Sequence, residues 1–242
     1  MAAARILAFE EIDSTNAEAR RQADAGEAGP LWITSTRQSA GRGRRGRAWE
    51  TGRGNLAATY LFTTALPAAQ AAQVSFVAAL AVADLASAFI LAAPISLKWP
   101  NDTLVDGQKV SGILVESGLA PSGRLWVAVG CGVNLATLPE ASERPATAFA
   151  PHMATLPPTP SEALNRLAEA LTQWMAVWER SGFSAIAAAW TARAHGLGAP
   201  CTARLATESI EGIAEGLDDD GALRLRTASG EIVRITAGDV FF

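Results

Sequence analysis

The sequence contains little cysteine and little histidine. Its two cysteines, Cys131 and Cys201, lie far apart, and neither has a second cysteine at the spacing of a zinc-binding motif. We therefore expect neither a disulfide framework nor a structural zinc site, and we interpret both side chains as buried thiols of a reducing compartment. The two histidines, His152 and His195, lie outside every motif described below and receive no catalytic role.

A strong net charge and a secretory leader are also missing. Charged residues make up 18% of the 242 residues, and the formal net charge is −4, which argues against a general nucleic-acid-coating role. Hydrophobic residues make up 49% of the chain, as in globular proteins with a sizeable core. The first residues contain no apolar run typical of a signal peptide, so we predict a cytoplasmic protein.

One apolar stretch, residues 74–91, is about long enough to cross a bilayer. Asp84 lies in its middle, and alanine supplies most of its hydrophobicity. A charged side chain at the centre of a membrane is costly, so we predict a helix buried against a sheet and no association with a membrane.

Lysine is the scarcest charged residue. Lysine and arginine together number 20, yet only Lys98 and Lys109 are lysines. A chain so biased toward arginine is expected to use lysine where a compact ammonium is needed and the wide guanidinium does not fit. Both lysines fall within the motifs described below.

Hydrophobic periodicity predicts alternating strands and helices up to about residue 197. The predicted strands are 5–12, 31–36, 55–63, 95–99, 109–117 and 124–131, and the predicted helices are 15–26, 67–94, 161–180 and 183–195. The proline-rich segment 139–160 is predicted to be a surface loop. Short alternating runs after Gly198 predict a five-stranded small barrel, which divides the chain into domains 1–196 and 197–242.

An arginine- and glycine-rich segment, residues 38–47, has the composition of an anion-binding loop. Its glycines let the backbone approach a ligand, and its arginines offer forked donors to phosphate oxygens. Trp49 follows and could stack on a nucleotide base. Alone, such a segment is equally typical of a solvated basic turn or an RNA-binding segment, and Trp49 of a core residue.

Two further segments place polar residues beside strands. The run KWPND, residues 98–102, ends a predicted strand, where polar groups commonly face a site. Lys109 begins an apolar strand in which Gly112 could let a ligand lie against the sheet. The alternatives are an Asx turn at Asn101 and a lysine whose ammonium reaches solvent from a strand edge.

Taken together, these segments resemble the motifs of biotin–protein ligases (biotin–[acetyl-CoA-carboxylase] ligases). The match comprises GRGRRGRxW, KWPND and KxxGIL, the triplet Ser14-Thr15-Asn16, the run GCGVNL at 130–135 and the tail from about residue 216. It covers almost the full chain, with Ser111 where the family commonly has alanine. Repressor-type members carry a winged helix-turn-helix before the triplet, which here begins at residue 14, so we expect no DNA binding.

The resemblance implies an α+β fold with a mixed, largely antiparallel sheet flanked by helices, and a small C-terminal SH3-like β-barrel. It implies an enzyme that uses MgATP to activate biotin as biotinyl-5'-AMP. The biotin then passes to a lysine of a biotin carboxyl carrier protein, and AMP is released. The expected state is a monomer or a homodimer.

The resemblance also assigns residues to roles. The catalytic candidates are Lys109, Arg44 and Arg42. The expected biotin-binding residues are Ser14, Thr15, Asn16, Gln38, Gly41, Arg42, Lys109 and Gly112. The expected ATP-binding residues are Arg44, Arg47, Trp49, Asn101, Asp102, Lys109 and Asn134, with Asp102 also a candidate ligand of Mg²⁺.

Two other functions are compatible with parts of the sequence. Lipoate or octanoate attachment shares this fold family, but a lipoyl pocket needs a longer apolar slot and less polar recognition. An RNA-binding module could use the arginine-rich segment and Trp49, although the pI of about 5.3 and the absence of RRM or KH signatures argue against it.

Overall fold

A computed structural model describes residues 4–138 and 145–242. Seven strands form the larger sheet: β1 (Arg5–Ile12), β2 (Leu31–Gln38), β3 (Leu56–Thr64), β4 (Ile95–Lys98), β5 (Asp102–Val105), β6 (Gln108–Leu119) and β7 (Leu125–Val133). Their order is β1-β2-β3-β7-β6-β5-β4. In the described chain β1 and β2 run parallel and the other neighbours antiparallel. The predicted mixed, largely antiparallel sheet is confirmed.

Helices α1 (Thr15–Asp24), α2 (Ala68–Ala71), α3 (Val74–Phe89) and α4 (Pro160–Thr191) flank this sheet. The Ser14 side chain caps α1 by accepting a bond from the Ala17 amide, as its sequence position predicts. A capping box begins α4, and Gly182, with φ of 70°, interrupts it. Gly182 lies between the two helices predicted there, 161–180 and 183–195. The chain breaks at this residue because only glycine adopts this backbone conformation without strain.

The long apolar stretch is a core helix of this fold. Residues 68–89 meet the length and hydropathy of a membrane span, but 61% of their most apolar window is buried inside the protein. The segment consists of α2 and α3, with a turn between them, instead of one helix from Pro67. Asp84 accepts hydrogen bonds from Trp174 Nε1 and Arg193 Nη1, each at 2.6 Å, which join α3 to α4 and to the residue after its C-cap.

The loop predicted at 139–160 is partly wrong. Residues 139–144 lie outside the described part of the chain. Beyond them the backbone pairs with β6: the Lys109 amide donates to Pro145 O, and the Thr147 amide donates to Lys109 O. Phe149 is fully buried. The prolines indicated an irregular chain, but the apolar residues after Pro145 place it against the sheet.

Five strands follow α4: β8 (Pro200–Arg204), β9 (Ser209–Leu217), β10 (Leu223–Arg226), β11 (Ile232–Ile235) and β12 (Asp239–Phe241). They form an antiparallel sheet in the order β11-β10-β9-β8-β12. The predicted number of strands is confirmed. Within the described residues no ladder joins β11 to β12, so this small sheet is open along that edge.

The second sheet shares its core with the first. Leu223, Leu225 and Val240 belong to the same buried apolar cluster as Phe76 and Trp190. The indole of Trp99 donates a hydrogen bond of 3.0 Å to the carbonyl of Gly221. The smaller sheet is therefore held against the larger unit by apolar burial as well as by the chain connection.

Candidate functional site

A cavity of about 540 Å³ lies where the central strands β6 and β7 meet the start of α1 and the segment between β2 and β3. We call that segment, residues 39–55, the arginine loop. Every predicted site residue except Gly41 lines the cavity: Ser14, Thr15, Asn16, Gln38, Arg42, Arg44, Arg47, Trp49, Asn101, Asp102, Lys109, Gly112 and Asn134. Segments far apart in sequence therefore meet at one place.

Gly41 supports the cavity from outside. Its carbonyl accepts a hydrogen bond of 2.9 Å from the amide of Trp49, which closes the base of the arginine loop. A Cβ atom at this position would lie 2.3 Å from the carbonyl oxygen of Trp49. Glycine is required there by the close approach of two backbones.

One end of the cavity is lined by connected polar side chains. The Thr15 amide donates to Gln38 Oε1 at 2.8 Å, which fixes the Gln38 amide group. The Thr59 hydroxyl lies 2.8 Å from Thr15 Oγ1 and 2.7 Å from Asn16 Oδ1. Held in this way, the side chains present hydroxyl and amide groups suited to a small polar ring. Thr59 was missed because one threonine in an apolar strand carries no motif.

Glu116 links this polar end to the arginine loop. Its carboxylate accepts a hydrogen bond of 2.8 Å from Asn16 Nδ2 and lies 3.2 Å from Arg42 Nη2. The same three residues border a second opening of about 470 Å³. Glu116 is not part of the predicted site, because neither of its contacts is local in sequence.

Lys109 places its ammonium inside the cavity. The Nζ atom lies 2.6 Å from Asp102 Oδ1, and the Asp102 side chain is only 6% exposed. The same Nζ lies 5.7 Å from the centroid of the Trp49 ring, within the range of a cation–π contact. The ammonium is thus held between a carboxylate and an aromatic face.

Lys98 lies elsewhere, so the expectation that the polar end of its strand faces the site is wrong for this residue. Its Nζ is 5.9 Å from the ring centroid of Phe241 and 5.8 Å from that of Phe242. Both distances are within the range in which an aromatic face attracts an ammonium. The two lysines therefore have separate surroundings.

Three arginines of the loop contact the C-terminal sheet. Arg44 Nη1 donates to Asn101 Oδ1 at 3.3 Å and to the carbonyl of Gly238 at 3.4 Å. Arg45 and Arg47 pair with the carboxylate of Asp239. Burial lowers the pKa of the Arg44 guanidinium, and the nearby carboxylates of Asp239 and Asp102 oppose that shift.

Asp239 also lines the cavity, and sequence reasoning missed it. It lies almost 200 residues after the loop that it contacts. The C-terminal tail that contains it resembles the family as a segment, and none of its residues was assigned a role.

Glycines of the central strands form the floor on which Trp49 lies. Gly112 and Gly132 face each other across β6 and β7. A Cβ at Gly132 would lie 2.2 Å from Trp49 Cε2, and one at Gly112 would lie 3.2 Å from Trp49 Cζ3. Next to them, a Cβ at Gly130 would lie 2.3 Å from Asn16 Oδ1. The absence of side chains lets the indole and the Asn16 amide contact the sheet directly.

Two other polar side chains, Asn134 and Cys131, lie at the floor of the cavity. Asn134 donates a hydrogen bond of 3.1 Å to the Thr147 carbonyl, which orients its amide group. Cys131 is buried, and burial raises the pKa of its thiol to about 12. Cys131 is therefore a neutral thiol in the cavity wall, and both cysteines are buried as predicted.

The carboxylates of the cavity suit a metal ion that is already bound to phosphate oxygens. In residues 4–138 and 145–242 no cluster of three or more His, Cys, Asp or Glu side chains could hold an ion by itself. Mg²⁺ commonly binds one or two protein carboxylates and completes its shell with phosphate oxygens and water. Asp102 can supply one such carboxylate.

Comparison with known proteins places this geometry in context. Residues 8–134 match the model of the biotin/lipoate A/B protein ligase family, and residues 196–242 match the biotin protein ligase C terminal domain. A biotin–[acetyl-CoA-carboxylase] ligase of Paracoccus denitrificans is 47% identical over 95% of this chain and 97% of its own length. The ligase of the same name from Mycobacterium tuberculosis is 31% identical over 95% of this chain and 86% of its own length.

A solved structure extends the similarity to the fold. The biotin protein ligase from Aquifex aeolicus in complex with biotin and ATP superposes with a TM-score of 0.82 and 26% identity. The superposition covers 98% of this chain and 97% of that one. The two sheets therefore occur together in a protein that binds both small molecules.

Proposed function

The chain belongs to the biotin/lipoate A/B protein ligase family, and from that membership we propose how its cavity joins biotin to a carrier protein. The chain is an ATP-dependent biotin–protein ligase. A biotin carboxylate oxygen attacks the α-phosphorus of MgATP, and the bond to pyrophosphate breaks to give biotinyl-5'-AMP. The amine of a carrier lysine then attacks the acyl carbon, loses a proton, and releases AMP.

The observation that carries the proposed mechanism is the ammonium of Lys109 in a cavity walled by arginines. The first step brings two anions together. Two unit charges 4 Å apart repel by about 4 kcal/mol at an effective dielectric of about 20. The Lys109 ammonium offsets this repulsion between carboxylate and α-phosphate, and Asp102 holds it in place at 2.6 Å.

Biotin is assigned to the polar end of the cavity. Ser14, Thr15, Asn16 and Gln38 provide the groups that hydrogen-bond to the ureido ring. Gly112 contributes to the floor, and Gly41 keeps the loop in place. Arg42 binds the carboxylate together with Lys109, and its pairing with Glu116 holds the guanidinium beside Asn16 until biotin enters.

The nucleotide is assigned to the end nearer the C-terminal sheet. Arg44 and Arg47 bind the phosphates, and their forked donors suit phosphate oxygens. Trp49 contacts the adenine, while Asn101 and Asn134 provide polar contacts to the nucleotide. Asp102 would supply one carboxylate ligand to the Mg²⁺ that is bound to the substrate ATP. Much of the rate comes from positioning, because the anhydride is itself activated for the second step.

We assign residues 1–196 to the biotin- and ATP-binding domain and 197–242 to the C-terminal domain, and the limits of the family models support this division. We further propose a cytoplasmic monomer or homodimer that binds neither DNA nor membranes. Gel filtration and a DNA mobility-shift assay test these points.

The decisive test of the activity is incubation with biotin, MgATP and a biotin carboxyl carrier domain. A mass increase of one biotinyl group on the carrier lysine is expected, together with biotin-dependent exchange of pyrophosphate into ATP. Lipoate and octanoate serve as competing acids, and the polar residues around Thr15 predict preference for biotin. Attachment of lipoate instead of biotin, or RNA binding without turnover of ATP, would contradict the proposal.

A further inference from the structure

Asp239 connects the C-terminal sheet to the cavity. Strand β12 carries this residue, and its pairing with β8 places Asp239 opposite Arg204. Only 8% of Asp239 is exposed. Its Oδ2 atom accepts hydrogen bonds from Arg47 Nη2 and from Arg45 Nη1, the latter at 3.4 Å. One carboxylate, fixed by a β-ladder, therefore contacts two arginines of the arginine loop.

We propose that Asp239 is a positioning residue for nucleotide binding, which holds Arg47 in the orientation that the triphosphate requires. The inference rests on the proposed function, in which Arg47 binds phosphate. A guanidinium has five N–H donors in a rigid plane, so pairing of Nη2 with Asp239 leaves donors for a second anion. The Arg47 side chain remains 42% exposed while paired, so a ligand can reach it.

An arginine side chain without a fixed partner is flexible. Ordering such a side chain on a ligand costs conformational entropy. Pairing with the fixed carboxylate of Asp239 restricts the Arg47 side chain, so less conformational entropy remains to be lost when the nucleotide binds. Preorganised charged donors bind an anion more tightly than mobile ones.

The backbone of the arginine loop supports the same role. Arg45 has φ of 58° and ψ of 28°, a left-handed conformation that is uncommon for a residue other than glycine. The pairing of Arg45 with Asp239 holds this turn next to β12. The carbonyl of Gly238 also accepts from Arg44, so contacts of Arg44, Arg45 and Arg47 hold the turn in place.

An Asp239 that competes with the nucleotide would affect ATP binding in the opposite direction. If the Asp239 carboxylate occupied the phosphate position itself, it would compete with ATP, and its neutralisation would tighten nucleotide binding. Asp239→Asn therefore separates the two by the direction of its effect. Asp218→Asn is a matched control, because Asp218 directly follows β9 of the same sheet and also pairs with two arginines, Arg224 and Arg234, outside the loop.

The experiment measures KM for ATP and for biotin in biotin-dependent pyrophosphate exchange. For Asp239→Asn we expect KM for ATP to rise about tenfold, the loss typical of a charge-assisted hydrogen bond, with KM for biotin within about twofold. For Asp218→Asn both constants stay within about twofold of the wild type. An unchanged or lowered KM for ATP in Asp239→Asn would overturn the proposal.

A double-mutant cycle tests whether the effect passes through Arg47. In an Arg47→Ala background Asp239→Asn should add little further loss, because the two side chains act as one unit. Additive losses would indicate a general loosening of the sheet and would also overturn the proposal.

Hydrogen exchange gives a readout that needs no catalysis. Amides of the arginine loop should exchange faster in Asp239→Asn and not in Asp218→Asn. Unchanged loop exchange in Asp239→Asn would count against the proposal even if the variant were inactive. If the wild type showed no biotin-dependent exchange of pyrophosphate into ATP, the proposed function itself would be refuted.

Discussion

At the scale of single residues, the two lysines are chemically identical and differ only in their neighbours. Lys109 lies between Asp102 and the face of Trp49 inside the cavity. Lys98 lies against the rings of Phe241 and Phe242. The chain therefore contains an internal control for the role assigned to the cavity ammonium.

Lys109→Ala is expected to lower the rate of biotinyl-5'-AMP formation at least about a hundredfold, because the charge between the two anions is lost. Lys109→Arg should recover little of this rate, since a planar fork crowds the attacking oxygen. The measurement is pyrophosphate exchange, with circular dichroism to verify folding. Lys98→Ala should retain activity within about threefold. Equal losses in the two alanine variants would contradict the role of Lys109.

Gly132→Ala tests the glycine floor. The added methyl group would lie 2.2 Å from Trp49 Cε2, so the indole must move away from the sheet. We expect KM for ATP to rise about fivefold or more, since base–aromatic stacking contributes about 1–3 kcal/mol. Gly118→Ala is the control, because it crowds Trp126 in the same way at 2.8 Å but lies outside the main cavity. A similar KM in both variants would contradict the role of Trp49.

The site residues that could be predicted are those that lie in contiguous motifs. These motifs are the arginine loop, the run KWPND and the strand that contains Lys109. In each of them the functional residues are close neighbours in the sequence. Thr59, Glu116 and Asp239 are single polar residues, and their partners come from strands that are distant in sequence. Their contacts depend on register, which local pattern does not determine.

At the scale of elements, burial and capping explain which predictions held. Ser14 caps α1 and Gly182 interrupts α4 because both effects are local to a few residues. The segment after Pro145 was mistaken for a surface loop because its pairing with Lys109 joins residues far apart in sequence. Local signals thus predicted these two boundaries, whereas the pairing of segments that are distant in sequence could not be predicted from them.

Asp84→Ala is expected to destabilise the packing of α3 against α4. The substitution removes acceptors for Trp174 Nε1 and Arg193 Nη1. We expect the free energy of unfolding to fall by about 1–3 kcal/mol, because the half-buried indole loses its partner. Denaturation in urea measures this change. Arg166→Ala, which breaks an exposed pair with Glu169 on α4, should change stability by less than about 0.5 kcal/mol.

At the scale of the whole molecule, the two sheets depend on each other. They share one apolar core, and the hydrogen bond from Trp99 to Gly221 crosses between them. The five-stranded sheet could be predicted from its alternating runs and turns. Its packing on Phe76 and Trp190 could not, because the sequence does not show which apolar faces meet.

A chain ending at residue 196 is therefore expected to lose both its fold and its activity. The truncation exposes the apolar surface now covered by Leu223, Leu225 and Val240. The expected result is binding of a hydrophobic dye, a thermal transition that is lowered or absent, and no pyrophosphate exchange. The full chain serves as the control. A cooperative transition with full activity would show that the second sheet is dispensable.

The wall of the cavity draws on residues from Ser14 to Asp239, so translation supplies its first and last parts at very different times. A ribosome that stalls before β12 has already made all the motif residues of the larger sheet, yet the nascent polypeptide still lacks one side of its reaction chamber. Products that end before β12 consequently contain the residues proposed to bind biotin and nucleotide but lack part of the wall that would enclose a reactive acyl phosphate.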